Sequence, residues 1–111
     1  MTDGKAVYLS WCDVFSLARA VAKQITAKSK KAKVVLYGMR SGGTFAAMAV
    51  QSELEKYRGV RAALTEESSE ADWKIVDVLS TQHQTGDNTL SLLCVKDYEM
   101  AAAVSFPWDR L

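Results

Sequence analysis

Apolar positions recur with helical spacing in the segment that follows Leu9. They fall at Val14, Leu17, Ala18, Val21, Ala22 and Ile25, a stripe with the 3.6-residue period of an amphipathic helix. Ser10 and Asp13 have the spacing of a capping box, and Leu9 and Val14 have that of a hydrophobic staple. The pattern therefore predicts a helix near residues 12–28 that starts beside Ser10 and buries one face.

A different pattern, apolar and β-branched without alternation, marks "KVVLYG" at 33–38. Such a run is typical of a strand buried on both faces of a parallel sheet. After a glycine-rich turn, inward positions predict a second helix near residues 44–57, namely Ala46, Ala47, Val50, Leu54 and Tyr57. Gly59 is expected to close this helix before a short strand at "VRAAL". Together these elements predict a βαβ unit.

The second half of the chain combines strands with polar connections. "TEESSEAD" at 65–72 favours an exposed connection, and "WKIVDVL" and "TLSLLCV" are strand candidates. The ten residues from Ser80 to Thr89 barely reach the length of a parallel crossover, so a full second crossover helix is not expected. A last short strand is expected before Pro107, whose missing N–H excludes it from a central ladder. These elements predict an α/β fold with a mainly parallel sheet flanked by helices.

Length and composition predict a single domain spanning residues 1–111, because separate hydrophobic cores need about 100 residues each. Apolar residues make up 49% of the chain and charged residues 24%, which is ordinary for a soluble protein. A formal net charge of +1 and the lack of an apolar run of about 20 residues argue against nucleic acid and membranes as partners. "KSKKAK" at 28–33 is interpreted as a solvated helix end and loop, with a phosphate- or partner-binding edge as the alternative.

The cysteines and the histidine bear on location and metal binding. Cys12 and Cys94 form no CxxC pair, and the first residues lack the apolar region of a secretory signal. We therefore expect a cytoplasmic protein with reduced thiols. His83 is the only histidine, so a zinc site would need an unusual ligand set. The three tryptophans are interpreted as packing residues at the core or its edge.

Two polar loops carry the candidate chemistry, because ligands of open parallel sheets bind beyond the carboxyl ends of the strands. In "YGMRSGGT", Gly42, Gly43 and Thr44 are expected to present N–H groups to an anion while Arg40 adds charge; a plain tight turn is the alternative. "STQHQTGDNT" follows Asp77 and offers hydroxyls, amides and an imidazole, which suit a phosphate monoester. A polar hairpin loop is the alternative for this segment.

In their order, these segments resemble the type I phosphoribosyltransferases, particularly the xanthine/guanine branch. "YLSWCDVFSLARAVAKQI" is similar to the opening of that branch, and "LYGMRSGGTFAAMAVQSEL" to its strand, pyrophosphate loop and helix. "IVDVLSTQHQT" resembles the family's acidic segment and phosphate loop. "LSLLCVKD" and "FPWD" are similar to its late strand with a lysine and its closing signature. The resemblance covers most of the chain and implies a trimmed core of that family.

The resemblance implies a ligand, a metal and a set of roles. Family members bind phosphoribosyl pyrophosphate with magnesium, transfer phosphoribose to a purine base and release pyrophosphate. By position, Arg40, Ser41, Gly42 and Gly43 would hold pyrophosphate, and Asp77 a ribose hydroxyl. Ser80, Thr81, Gln82, His83 and Gln84 would wrap the 5-phosphate, Lys96 would face the purine's exocyclic oxygen, and Val104 and Ser105 complete the substrate-binding positions. In an alternative register, Thr85 and Gly86 grip the phosphate.

The chain departs from the family pattern at the residues that carry turnover. Val76 replaces the first acidic residue, and Ser80 replaces the catalytic aspartate, so Asp77 is the one weak catalytic candidate left. Gln82 replaces a loop glycine, and Ala103 replaces an aromatic that stacks on the base. A catalytically inactive relative, acting as a nucleotide-binding or protein-interaction module, is therefore the alternative function. Because related enzymes associate, a homo-oligomer is a further expectation.

Overall fold

A four-stranded parallel sheet forms the centre of the molecule. The structure, a computed structural model, describes residues 6–81 and 88–111. Its elements are β1 (Val7–Tyr8), α1 (Trp11–Lys28), β2 (Lys33–Gly38), α2 (Arg40–Tyr57), β3 (Arg61–Leu64), β4 (Trp73–Ser80), β5 (Thr89–Val95), α3 (Tyr98–Ala102) and β6 (Val104–Ser105). Short 3₁₀ turns cover Ser68–Glu70 and Pro107–Arg110. The sheet has the order β3-β2-β4-β5, and β1 and β6 form a separate parallel pair. The predicted fold class, α/β with a mainly parallel sheet flanked by helices, is confirmed.

Helix α1 begins as its local sequence predicts. The hydroxyl of Ser10 accepts the Asp13 N–H at 3.1 Å, and the Asp13 carboxylate accepts the Ser10 N–H at 2.8 Å, which completes the capping box. The second bond lowers the pKa of Asp13, because it stabilises the ionised form. The predicted stripe is buried, except for the partly buried Leu17, so the periodicity identified the inward face correctly.

The hydrophobic core lies between the sheet and two helices. Helix α1 packs against α2 and β5, and α2 packs across β2, β3 and β4. The core includes the inward residues predicted for both helices together with Val34, Leu36 and Ile75 from the sheet. Tyr57 is the exception, since it is 53% exposed and lies under the guanidinium of Arg19, 4.3 Å from the ring centroid. The prediction that Tyr57 faces inward is therefore wrong.

Helix α2 begins at Arg40, four residues earlier than predicted. Gly42 and Gly43 therefore lie inside its first turn and not in a loop before it. Met39 is the N-cap residue, so the turn after β2 is much shorter than the predicted glycine-rich turn. A Cβ on Gly43 would lie 2.6 Å from the main-chain oxygen of Ile75. Gly43 therefore lets the start of α2 approach β4 closely, which a side chain would prevent. Gly59 ends the helix as predicted, with a φ of 64°.

The expectation that no full second crossover helix separates β4 from β5 concerns residues 82–87, which lie outside the described residues. Strands β4 and β5 pair in parallel, with Lys74 opposite Thr89 and Ser80 opposite Val95. Residues 65–72 form a mostly exposed connection, as predicted, with the 3₁₀ turn in its middle. Asp72 ends this connection by accepting hydrogen bonds from the Val35 N–H at 2.8 Å and from Lys31 at 2.7 Å. These bonds tie the start of β4 to the neighbouring β2.

Strand β3 is an edge of the sheet, and side chains of α2 cover its outer side. The Arg61 N–H donates to Ala32, just before β2, and the Thr65 N–H donates to Leu36 of β2, so the main chain of Ala62 points the other way. Gln51 donates to the Ala62 oxygen at 2.9 Å, and the Ala62 N–H donates to Glu55 at 3.3 Å. Both outward main-chain groups of this residue are therefore occupied within the molecule.

The last predicted strand is present as β6, and Pro107 follows it outside any ladder. The short elements β1 and α3 were not predicted. Both cysteine thiols are free. No helix in the described ranges 6–81 and 88–111 is long and apolar enough to span a membrane.

Candidate functional site

The order of the strands locates a crevice between β2 and β4. From β2 the chain proceeds to β3 on one side, and from β4 it proceeds to β5 on the other side. Such a reversal of winding leaves a crevice at the carboxyl ends of the two adjacent strands, where open α/β sheets bind ligands. Strand β4 extends five residues beyond Ile75, which pairs with the last residue of β2. The crevice is therefore bordered by the start of α2 and by the projecting end of β4.

Two clefts open at this edge of the sheet. The β4 cleft has a volume of about 270 Å³, and its walls include Met39, Arg40, Asp77, Ser80 and Tyr98. The β3 cleft has a volume of about 590 Å³, and its walls include Gly38, Arg40, Ser41, Thr44 and Glu66. These volumes are in or near the range of small-molecule sites. Arg40 contributes to both clefts and so stands at the centre of the candidate site.

Arg40 adopts a backbone conformation that arginine rarely adopts. Its φ is 63°, in the left-handed region, where a residue with a Cβ costs about 1–2 kcal/mol. Among the described residues it is the one non-glycine with a positive φ. Residues held in such conformations cluster at functional sites, where the surrounding structure maintains them. The sharp turn from β2 into α2 imposes this conformation and sets the exposed Arg40 side chain at the mouth of the crevice.

The N-terminus of α2 provides a second source of positive potential. Met39 makes no side-chain cap, and its own N–H donates to the Ile75 oxygen at 2.8 Å. The first N–H groups of a helix have no partner within the helix, and they carry a partial charge of about +0.5. Helix α2 has no acidic residue in its first turn. This helix end and Arg40 together favour an anion at the crevice.

Asp77 is the carboxylate of the crevice. Its Oδ1 accepts the Val78 N–H at 2.7 Å, and its Oδ2 lies beside Gly42, against the position that a Cβ on Gly42 would occupy. The ladder between β4 and β5 is interrupted at this residue, since Val76 pairs with Ser91 and the next pair is Val78 with Leu93. Because Gly42 has no Cβ, the carboxylate can lie against the start of α2.

The residues predicted to hold the 5-phosphate are described only in part. Ser80 is buried, with 3% exposure, and it lines the β4 cleft. Thr81 is exposed, but its hydroxyl donates to the Lys96 oxygen at 2.8 Å and its N–H donates to the Val95 oxygen at 2.8 Å. Gln82, His83 and Gln84, and the Thr85 and Gly86 of the alternative register, lie outside the described residues.

The remaining predicted residues divide between the crevice and other surfaces. Ser41 lines the β3 cleft, whereas Gly43 is buried against β4 and lines neither cleft. Lys96 is exposed beyond the end of β5 and also lines neither cleft. Val104 and Ser105 belong to β6, where the Ser105 oxygen accepts hydrogen bonds from Leu9 and Arg110. The structure thus brings Arg40, Asp77 and Ser80 together in one cleft and leaves Lys96, Val104 and Ser105 outside it.

Trp108 borders the site, although the sequence indicated only a packing role. It is 9% exposed, and its ring is stacked between Phe45, at a centroid distance of 5.3 Å, and Phe106, at 4.7 Å. Its indole Nε1 is 3.4 Å from the same Cβ position on Gly42 that lies next to Asp77. This buried nitrogen has no hydrogen-bond partner among the residues described. Trp108 lies in the closing "FPWD" segment that the resemblance singled out, but no pattern in the sequence indicated that its indole N–H is unpaired.

The described residues offer limited metal chemistry. Within these ranges, no three His, Cys, Asp or Glu side chains come together in a group that could hold a metal ion. Asp77 is the carboxylate that lines the β4 cleft. Mg²⁺ is commonly bound through one or two carboxylates together with the phosphates of a substrate, a mode that a single aspartate fits.

No model of a known protein family matches this chain, and no curated protein matches it.

Proposed function

We propose that this chain is a phosphoribosyltransferase-like protein that binds phosphoribosyl pyrophosphate or a purine nucleotide in the crevice between β2 and β4. The observation that carries the proposal is the strained Arg40, which lines both clefts at the uncapped start of α2. A guanidinium and helix N–H groups at one point suit a pyrophosphate group. The resemblance of "YGMRSGGT" and "IVDVLSTQHQT" to the family's two phosphate loops supports the same ligand class.

The adjacency of β2 and β4, the strands that precede the two loops, supports one shared ligand. In the family that the sequence resembles, pyrophosphate and 5-phosphate belong to one molecule and are held by two different loops. Here the segments that correspond to those loops follow β2 and β4, which are adjacent parallel strands. Asp77 lies between them and would accept a hydrogen bond from a ribose hydroxyl. Magnesium would enter with the ligand, held by phosphate oxygens and by Asp77.

The residues at two key positions favour binding without efficient transfer. Val76 stands where the family has an acidic residue, and it is 3% exposed. Ser80 stands at the place of the family's catalytic aspartate, and a serine hydroxyl is a far weaker base than a carboxylate. The proposed role is therefore a nucleotide-binding module of the cytoplasm, and pentosyl transfer to a purine is the second candidate. The retained phosphate-binding features favour a phosphate-bearing ligand for both candidates.

Calorimetry with phosphoribosyl pyrophosphate and Mg²⁺, and separately with guanosine monophosphate, tests the binding proposal. Arg40→Ala is expected to weaken affinity at least tenfold, since it removes a charged partner of the phosphate. Arg58→Ala is the matched control, because Arg58 is an exposed arginine at the opposite end of α2. Equal affinities for the Arg40 and Arg58 variants would reject the proposed site.

A pyrophosphate-release assay with guanine, xanthine and hypoxanthine separates the two candidates. Binding without release supports the nucleotide-binding module, whereas release that depends on a base supports the transferase. Absence of binding to every phosphoribosyl ligand would leave a protein-interaction role. Gel filtration tests the homo-oligomer that the resemblance implies.

A further inference from the structure

The ring of Trp108 is fixed by its neighbours. Phe45 and Phe106 stack on it with interplanar angles of 6° and 5°, and Trp11 contacts it at a centroid distance of 6.0 Å. The backbone of this segment is also held, because Asp109 accepts the Phe106 N–H at 2.8 Å. A ring packed in this way cannot turn to find a new partner without breaking the stack. The direction of its indole N–H is therefore set by the fold.

This fixed donor points into a buried space without a partner. Trp108 Nε1 is inaccessible to solvent, and no described residue accepts its hydrogen. Buried N–H groups in native proteins are nearly always paired, because an unpaired one loses its bond to water and gains nothing. An unpaired group of this kind needs an explanation, and a nearby acceptor that can move to meet it is one.

A candidate acceptor beside this donor is the carboxylate of Asp77. Asp77 Oδ2 lies against the position that a Cβ on Gly42 would occupy, and Trp108 Nε1 lies 3.4 Å from the same position. Asp77 Oδ1 already holds the Val78 N–H, which leaves Oδ2 facing Gly42 and the indole. A carboxylate oxygen can accept two hydrogen bonds. Oδ2 can therefore receive the indole N–H and a ligand hydroxyl together.

We infer that Trp108 is a positioning residue for Asp77: its indole N–H donates to Asp77 Oδ2 and holds the carboxylate in the orientation that accepts a ribose hydroxyl. The inference deepens the proposed function and rests on it for the identity of the ligand. Trp108 acts through Asp77 and needs no contact with the ligand. The indole ring is already held in place, so the bond forms through a rotation of the Asp77 side chain. The stack on Phe45 and Phe106 thereby fixes a carboxylate at the edge of the sheet.

Binding measurements on Trp108→Phe test the inference, because phenylalanine keeps the stack but removes the N–H. We expect about a tenfold loss of affinity for phosphoribosyl pyrophosphate with Mg²⁺, in line with the loss of a hydrogen bond to a charged group. In an Asp77→Asn background the same substitution should have little further effect, since the carboxylate it orients is gone. Trp73→Phe, at another buried tryptophan, is the matched control and should leave affinity unchanged. Equal losses with and without Asp77 would overturn the inference.

A second measurement uses the protein without ligand and remains decisive if the proposed function fails. The Trp108 indole N–H signal in a proton–nitrogen correlation spectrum is assigned by its loss in Trp108→Phe. Asp77→Asn should shift this signal and speed its exchange with solvent, whereas Asp97→Asn, at the N-cap of α3, should not. If Trp108→Phe does not fold, the signal cannot be assigned in this way, but a change in one of the three indole signals of Asp77→Asn, with the other two unchanged, still supports the inference. Unmoved indole signals in Asp77→Asn would overturn the inference, whereas absent ligand binding alone would overturn only the proposed function.

Discussion

The left-handed conformation of Arg40 predicts a substitution that stabilises the fold while it removes binding. Arg40→Ala keeps a Cβ at φ 63°, whereas Arg40→Gly removes it. A residue with a Cβ in the left-handed region costs the folded state about 1–2 kcal/mol, and a glycine there avoids this cost. Glycine also has more freedom in the unfolded chain, and this freedom lowers the stability of the glycine variant by about 0.5–1 kcal/mol. Arg40→Gly should therefore be more stable than Arg40→Ala by roughly 0.5–1 kcal/mol. With an unfolding entropy of about 2.1 cal/mol/K per residue, 1 kcal/mol corresponds to about 4 °C in Tm for this chain.

Gly59 supplies the matched control within the same protein. Its φ is 64°, and a Cβ built there would meet nothing within 4 Å, so Gly59→Ala measures the backbone cost alone. Urea and thermal unfolding of the three variants should give a loss at Gly59→Ala that is close in size to the gain of Arg40→Gly over Arg40→Ala. Both Arg40 variants should bind phosphoribosyl ligands equally weakly. If Gly59→Ala is destabilised but the two Arg40 variants are equally stable, Arg40 is not strained and the reasoning is refuted.

Three further predictions concern the scaffold. Gly43→Ala should lower the free energy of unfolding by about 1–3 kcal/mol in urea titrations, because its Cβ would lie 2.6 Å from a main-chain oxygen of β4; an unchanged midpoint would contradict the close packing. The hydrogen bond from Lys31 holds the pKa of Asp72 below its usual value, so its contribution to stability is present above about pH 4 and is lost as pH falls through the folded pKa. Asp72→Asn should therefore be less stable than the parent at pH 7, and the difference should shrink in acid; a constant difference would refute the linkage. Arg19→Ala should lower the free energy of unfolding more in the parent protein than in a Glu53→Gln variant, because the buried Glu53, 3% exposed, bonds Arg19 at 2.8 Å. Equal losses in the two backgrounds would show that the pair is uncoupled.

Much of the fold follows from local signals in the sequence. The capping box at Ser10 and the stripe after it predict α1, since both depend on residues within a few positions of each other. The unalternating run in β2 predicts a central strand for the same reason. The elements β1 and α3 escape prediction because two and five residues are too few to develop a period.

The start of α2 shows where local signals fail. A glycine that provides backbone freedom and a glycine that permits close packing look the same in a sequence. At Gly43 only the position of the Ile75 oxygen distinguishes them, and that position depends on a strand more than thirty residues away in the chain. The predicted loop was for this reason too long, although the element types around it were correct.

The candidate site was predictable to the extent that parallel strands determine it. Arg40, Asp77 and Ser80 line one cleft because neighbouring parallel strands end at the same edge. Lys96 lies outside both clefts, although the chain returns to the β4 cleft two residues later at Tyr98, so a position in the sequence near the cleft does not determine which side chains line it. The position of the Trp108 donor depends on three-dimensional stacking, which no spacing in the sequence encodes.

The hydrogen bonds of Gln51 and Glu55 to the main chain of Ala62 limit how copies of this protein can polymerise through the four-stranded sheet. An incoming strand needs an open row of main-chain donors and acceptors, and on the β3 side that row is interrupted by bonds within the molecule. At most one border of that sheet can then recruit another molecule. Assembly by strand addition would stop at a closed pair, and filament growth through this sheet would require the release of both α2 side chains.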